Sequence, residues 1–156
     1  MKNRLLVCAL VAALLLAAGC VSKGGTTGQA NVTITQGEQK NKTVEFVEVI
    51  HFHRTSQCWT CQTVGAYAEE TVNTYFAEEI GSGKLVFKHL NTELAENYAI
   101  FKRYNTTTPS LCIGVYSKDG FHAEENTNVW YKVNDKEDYM TYLKGIIEKR
   151  LTGEVE

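Results

Sequence analysis

The chain has 156 residues, enough for one folded domain and a leader. Apolar residues make up 44%, so a packed core can form. The net charge of −2, from 16 basic and 18 acidic residues, leaves no basic excess for phosphate and sets nucleic acid aside as a partner.

Residues 1–19 read as a signal peptide. Lys2 and Arg4 supply a positive start, and an apolar run from Leu5 to Ala18 follows, broken only by Cys8. That run has signal-peptide length and falls short of the roughly 20 residues that span a bilayer. It ends in Leu16-Ala17-Ala18-Gly19-Cys20, which resembles a prokaryotic lipobox with Cys20 as the lipidated first residue. The leucine stands one place further from the cysteine than in the usual pattern. Ordinary cleavage and an uncut anchor are the alternatives, and each delivers the rest of the chain across the membrane, to a side that permits disulfides. Residues 20–41 are rich in Gly, Thr, Gln, Ser and Asn and read as a flexible tether spanning roughly 25 Å. Val32 to Thr35 alternates weakly enough to add an edge strand.

Residues 42–152 carry the folded pattern. Val44 to Phe52 is apolar, β-branched and too short for a helix, so it predicts a buried strand. Arg54 to Gln57 is a polar turn. From Cys58 the period changes: Val64, Ala68, Val72, Tyr75, Phe76 and Ile80 recur at helical steps, until Gly81-Ser82-Gly83 stops them. Glu69, Glu70, Glu78 and Glu79 lie off that stripe and read as a solvated face. Lys84 to Leu90 predicts a second strand. Asn91 or Thr92 is placed to cap a second helix facing inward through Leu94, Tyr98 and Phe101, with Asn105 as its stop. Ser110 to Tyr116 and Phe121 to Glu125 flank Lys118-Asp119-Gly120, a hairpin turn. The stretch 126–133 fits a short strand or a packed loop. Asn134 with Glu137 forms a capping-box start to a last helix that buries Tyr139, Leu143, Ile146 and Ile147. The order β-α-β-α-β-β-α predicts an α/β domain with a four-stranded mixed sheet and helices on both faces.

The chemistry concentrates in Cys58-Trp59-Thr60-Cys61 at the strand-to-helix junction. A helix N-terminus offers free N–H groups and a positive dipole end, which favour a thiolate. Cys58, nearer the end and more exposed, is the expected attacking sulfur. Cys61, one turn in, is the expected resolving sulfur. The i, i+3 spacing lets the two sulfurs bond without moving the backbone. A structural disulfide and a zinc half-site completed by His51, His53 or Cys112 are the alternatives. Strand alternation puts His51 and His53 on one side of the sheet. Cys112 reads as a buried, inert thiol.

This arrangement resembles the thioredoxin superfamily over about residues 43–151, through Cys58-x-x-Cys61 and the separate Thr108-Pro109. The resemblance implies a thioredoxin-like fold and a cis-proline loop packed against the dithiol, with Thr108 and Pro109 docking a substrate chain and Trp59 exposed beside the sulfurs. It also implies no organic cofactor, because the dithiol is itself the redox group. Phe52-His53-x-Thr55-x-x-Cys58 is most similar to secreted, membrane-tethered prokaryotic domains labelled as a nitrophenyl-compound nitroreductase subunit. In such a subunit this chain would at most relay electrons, since about 110 residues of thioredoxin-like fold leave little room to cradle a flavin. The departures are Trp59-Thr60 between the cysteines and a turn one residue longer. By that alignment His51 takes the place of a buried carboxylate and Lys88 that of its lysine partner, so His51, His53 and Lys88 are candidate modulators of the dithiol. The expected activity is thiol–disulfide exchange at the outer face of the cell membrane. The expected partners are protein thiols or disulfides, or a membrane electron-transfer protein. A tethered module that binds metal or a partner without turnover is the competing expectation.

Overall fold

The structure is a computed structural model and describes residues 43–155. The leader, Cys20, the tether and the strand expected at Val32 to Thr35 lie outside the described residues.

Four strands form one sheet in the order β2-β1-β3-β4. Strand β1 (Val44–His53) is central, parallel to β2 (Leu85–Asn91) and antiparallel to β3 (Ser110–Ser117). Strand β4 (Gly120–Glu125) pairs antiparallel with β3 at the edge. Helix α1 (Trp59–Tyr75) makes the β1-to-β2 crossover, followed by a short α2 (Ala77–Gly81). Helix α3 (Tyr98–Tyr104) joins β2 to β3, and α4 (Lys136–Leu151) ends the fold. The architecture is therefore the expected α/β one, a four-stranded mixed sheet with helices on both faces, compatible with a thioredoxin-like arrangement.

The period of two along β1 divides the core. Val47 and Val49 face α1 and α4 and pack with Val64, Ala68, Val72, Leu111, Leu143 and Ile147. Ile50 and Phe52 face the other way and pack with Cys112 and, from α3, Ile100, Phe101 and Tyr104. Each fully buried aliphatic side chain is worth about 1.5–3 kcal/mol. Strand β1 is buried on both faces, so its run is nearly continuous in apolar residues.

Several expected boundaries shift. The first helix does not run to Ile80: it breaks at Phe76 (φ −130°, ψ 33°), whose side chain turns into the core while Tyr75 and Ile80 stay exposed. The second helix does not start at Asn91 or Thr92. Asn91 ends β2 instead, and its Oδ1 accepts from the Glu93 N–H at 3.0 Å, closing a turn. A 3₁₀ turn at Ala95–Asn97 precedes α3, and Leu94 and Tyr98 face solvent. Asn105 stops α3 as expected, in the left-handed region at φ 47°. The segment after β4 is a 3₁₀ turn, Asn128–Tyr131, that buries Val129. The cap of α4 is Asp135 rather than Asn134, its Oδ1 accepting from the Asp138 N–H at 3.0 Å. A carboxylate there also meets the positive end of the helix.

Candidate dithiol site

The polar turn 54–57 carries the chain from β1 into α1, and Cys58 is the N-cap residue. Its extended backbone (φ −73°, ψ 165°) leaves the sulfur at the open end of the helix, where Sγ accepts from the Cys61 N–H at 3.3 Å. Cys58 is exposed and Cys61 is 9% exposed, and both are free thiols. The Cys61 thiol, followed by the N–H groups of Cys61 and Thr60, holds the Cys58 thiol below its ordinary value. Burial pushes the Cys61 thiol up, and the neighbouring Cys58 sulfur adds to that. The exposed sulfur is thus the readier thiolate and the expected attacker, and the buried one holds its proton more tightly.

The Thr108–Pro109 peptide is cis, as the resemblance implied. Pro109 lines a small cleft together with Arg54, Ser56, Gln57 and Cys61, so the proline loop borders the same cleft as the buried cysteine. Thr108 Oγ1 donates to Thr92 Oγ1 at 3.2 Å, and the Thr92 N–H donates to the His53 carbonyl at 2.8 Å. The proline loop is thereby tied to the end of the strand that leads into the dithiol. Trp59 is 63% exposed beside the sulfurs. The turn itself is braced from the end of β2 and the turn after it: Asn91 Nδ2 donates to Thr55 Oγ1 at 2.9 Å, and Glu93 Oε2 accepts from the Thr55 N–H at 3.2 Å.

His51 and His53 do share a side, with rings stacked at 5.4 Å. His53 Nδ1 lies 2.9 Å from the Arg54 carbonyl and 3.1 Å from Gln57 Nε2, which anchors the turn. His51 is buried, and burial, then the neighbouring His89 and His53, lower its pKa to about 4. The expected pairing of His51 with Lys88 does not occur. Lys88 stands opposite Ile50 and donates to Glu48 Oε1 at 2.5 Å, on the α3 face of the sheet. His89 is the residue in register with His51, and their Nδ1 atoms are 3.1 Å apart. Period-two counting across the parallel pair could have found His89, whereas alignment to the family pattern led to its neighbour.

Glu48 was not visible as special in the sequence, yet it is a buried carboxylate. Besides Lys88 it accepts from the Tyr104 and Tyr116 hydroxyls at 2.8 and 2.9 Å. Burial acts to raise its pKa, but Lys88 and the two hydroxyls outweigh that and hold it below the ordinary value. Cys112 lies on the same face as Glu48, buried, its thiol pushed up by burial. It therefore faces away from His51 and His53 and cannot complete a metal site with them. Among the described residues no group of three or more His, Cys, Asp or Glu side chains is arranged to hold a metal.

A scan against protein-family models finds no matching family, and a search of curated proteins finds no matching sequence.

Proposed function

We propose that this protein is a thiol–disulfide oxidoreductase of the thioredoxin superfamily, held at the outer face of the cell membrane through a lipidated Cys20. One observation carries the reading: an exposed thiol with a lowered pKa caps a helix, a buried thiol with a raised pKa follows three residues on, and Pro109 lines one small cleft with the buried one. In the reducing direction the Cys58 thiolate attacks a substrate disulfide. A Cys58–substrate bond forms and the other substrate sulfur leaves as a thiolate. Cys61, on losing its proton, attacks Cys58 Sγ. The Cys58–Cys61 bond forms, the bond to substrate breaks, and two electrons have passed to the substrate. A membrane or extracytoplasmic thiol–disulfide partner restores the dithiol, and no organic cofactor is required. In an electron-relay subunit the same exchange would pass the electrons onward. Thr108 and Trp59 flank the sulfurs and are the proposed contacts for the substrate chain.

Trapping tests the reading. Cys61→Ser should accumulate covalent partners through Cys58 in membrane extracts, released by reductant, and Cys58→Ala should trap none. Absence of trapping, with one zinc per chain in the reduced protein, would favour a non-catalytic binding module instead. Cys20→Ala should move the protein from the membrane fraction to the soluble one; retention at the membrane would overturn the lipid anchor.

A further inference from the structure

Resolution of the mixed disulfide requires Cys61 to lose its proton in a place where its pKa is raised by burial. The face of α1 that carries Cys61 continues one turn later with Gly65. A Cβ there would sit 2.4 Å from His51 Nδ1 and 3.0 Å from His89 Cε1, so the missing side chain is what lets both rings lie under the helix. His89 Nε2 reaches Glu69 Oε2 on the same helix at 3.3 Å, at the protein surface.

The proton positions along this chain follow from its outer end. A carboxylate only accepts, so His89 Nε2 carries the hydrogen. A neutral His89 then has a bare Nδ1, which accepts, so His51 Nδ1 carries the hydrogen across the 3.1 Å contact. His51 is left with a bare Nε2, buried and without a partner among the protein's own atoms. We propose that His89 and Glu69 are positioning residues that hold His51 in the tautomer whose free Nε2 accepts the Cys61 proton during resolution. This rests on the oxidoreductase reading above. The proton leaves Cys61 Sγ for His51 Nε2, the His51 Nδ1 proton passes to His89 Nδ1, and the His89 Nε2 proton leaves through Glu69 to water. The Cys61 thiolate then attacks Cys58 Sγ and the substrate sulfur departs with the electron pair. Besides His89, the ionisable group beside His51 is His53 on β1, and Cys61 stands one helical turn before Gly65, whose missing side chain leaves room for the His51 ring. Lys88 lies on the opposite face, and from β3 the paired residue is Leu111.

The test is a stopped-flow reaction with a chromogenic aryl disulfide, in the full chain with Cys8, Cys20 and Cys112 replaced by alanine. The first thiol released reports attack by Cys58, and the second, independent of reagent concentration, reports resolution by Cys61. His89→Phe keeps a ring but removes the acceptor. It should leave the first phase unchanged, slow the second at least about tenfold, and shift its pH profile. His89→Asn restores an acceptor where Nδ1 stood and should recover most of the rate. Glu69→Ala should slow the second phase less, because water can replace an exposed acceptor. A second phase of unchanged rate and pH dependence in His89→Phe would overturn the proposal. So would His89→Asn behaving like His89→Phe, since the loss would then be one of packing. Absence of the first phase in the parent protein would instead sink the oxidoreductase reading.

Discussion

Glu48 and His51 stand three residues apart on β1, both nearly out of water, and they respond to acid in different windows. For His51 the folded pKa, about 4, lies below the unfolded value of 6.5, so the unfolded chain takes the proton first. Its contribution to stability is fully present above pH 6.5 and declines as pH falls towards 4, by roughly 3 kcal/mol in all. Urea unfolding of the wild type at pH 7 and pH 5 should show most of this loss, and His51→Phe should flatten it. The Glu48 carboxyl is also depressed, from 4.5, so its contribution is present above that value and disappears as pH falls through the lower folded one. Glu48→Gln should cost about 2–4 kcal/mol at pH 7, because the buried Tyr104 hydroxyl loses a charged acceptor and Lys88 its counter-ion. The penalty should shrink at pH 3; an equal penalty at both values would mean that the carboxylate charge is not what matters. Neither residue's environment was legible in the sequence. A glutamate or histidine inside an apolar run marks a cost without naming its partner, and both sets of partners come from elements distant in the sequence.

At the scale of elements, the sequence was most informative where one local rule acts alone. The period along β1, the left-handed stop at Asn105 and the sulfur at the helix start follow from chain-local chemistry and appear as expected. Boundaries moved where two local choices compete. Asn134 and Asp135 can each cap α4, and the carboxylate takes the place. Asn91 could cap a helix or close a turn, and the extension of β2 alongside His53 decides for the turn. The break at Phe76 was hidden because its spacing fits the helical stripe and only packing turns it inward. Gly65 is the point of close approach between α1 and the sheet. Gly65→Ala should therefore destabilise the fold by about 1–3 kcal/mol despite the better helix propensity of alanine. Thermal unfolding measures this, and a stabilised variant would show that the two histidine rings move aside freely.

For the molecule as a whole, the sheet order and the separation into two cores place two polar networks back to back. One runs from His51 through His89 to Glu69 on the α1 face. The other gathers Lys88, Tyr104 and Tyr116 around Glu48 on the α3 face. They share strands β1 and β2 but no hydrogen-bond partner. The stability changes of Glu48→Gln and His51→Phe should therefore add to within about 0.5 kcal/mol in the double variant, whereas His51→Phe and His89→Phe should not add. Denaturant titration of the single and double variants decides it. Additivity has a practical meaning for anyone redesigning this chain. The side of the sheet beneath the dithiol can be retuned for proton handling while the opposite side is strengthened separately, with β1 serving both as the shared beam and as the wall between two independent projects.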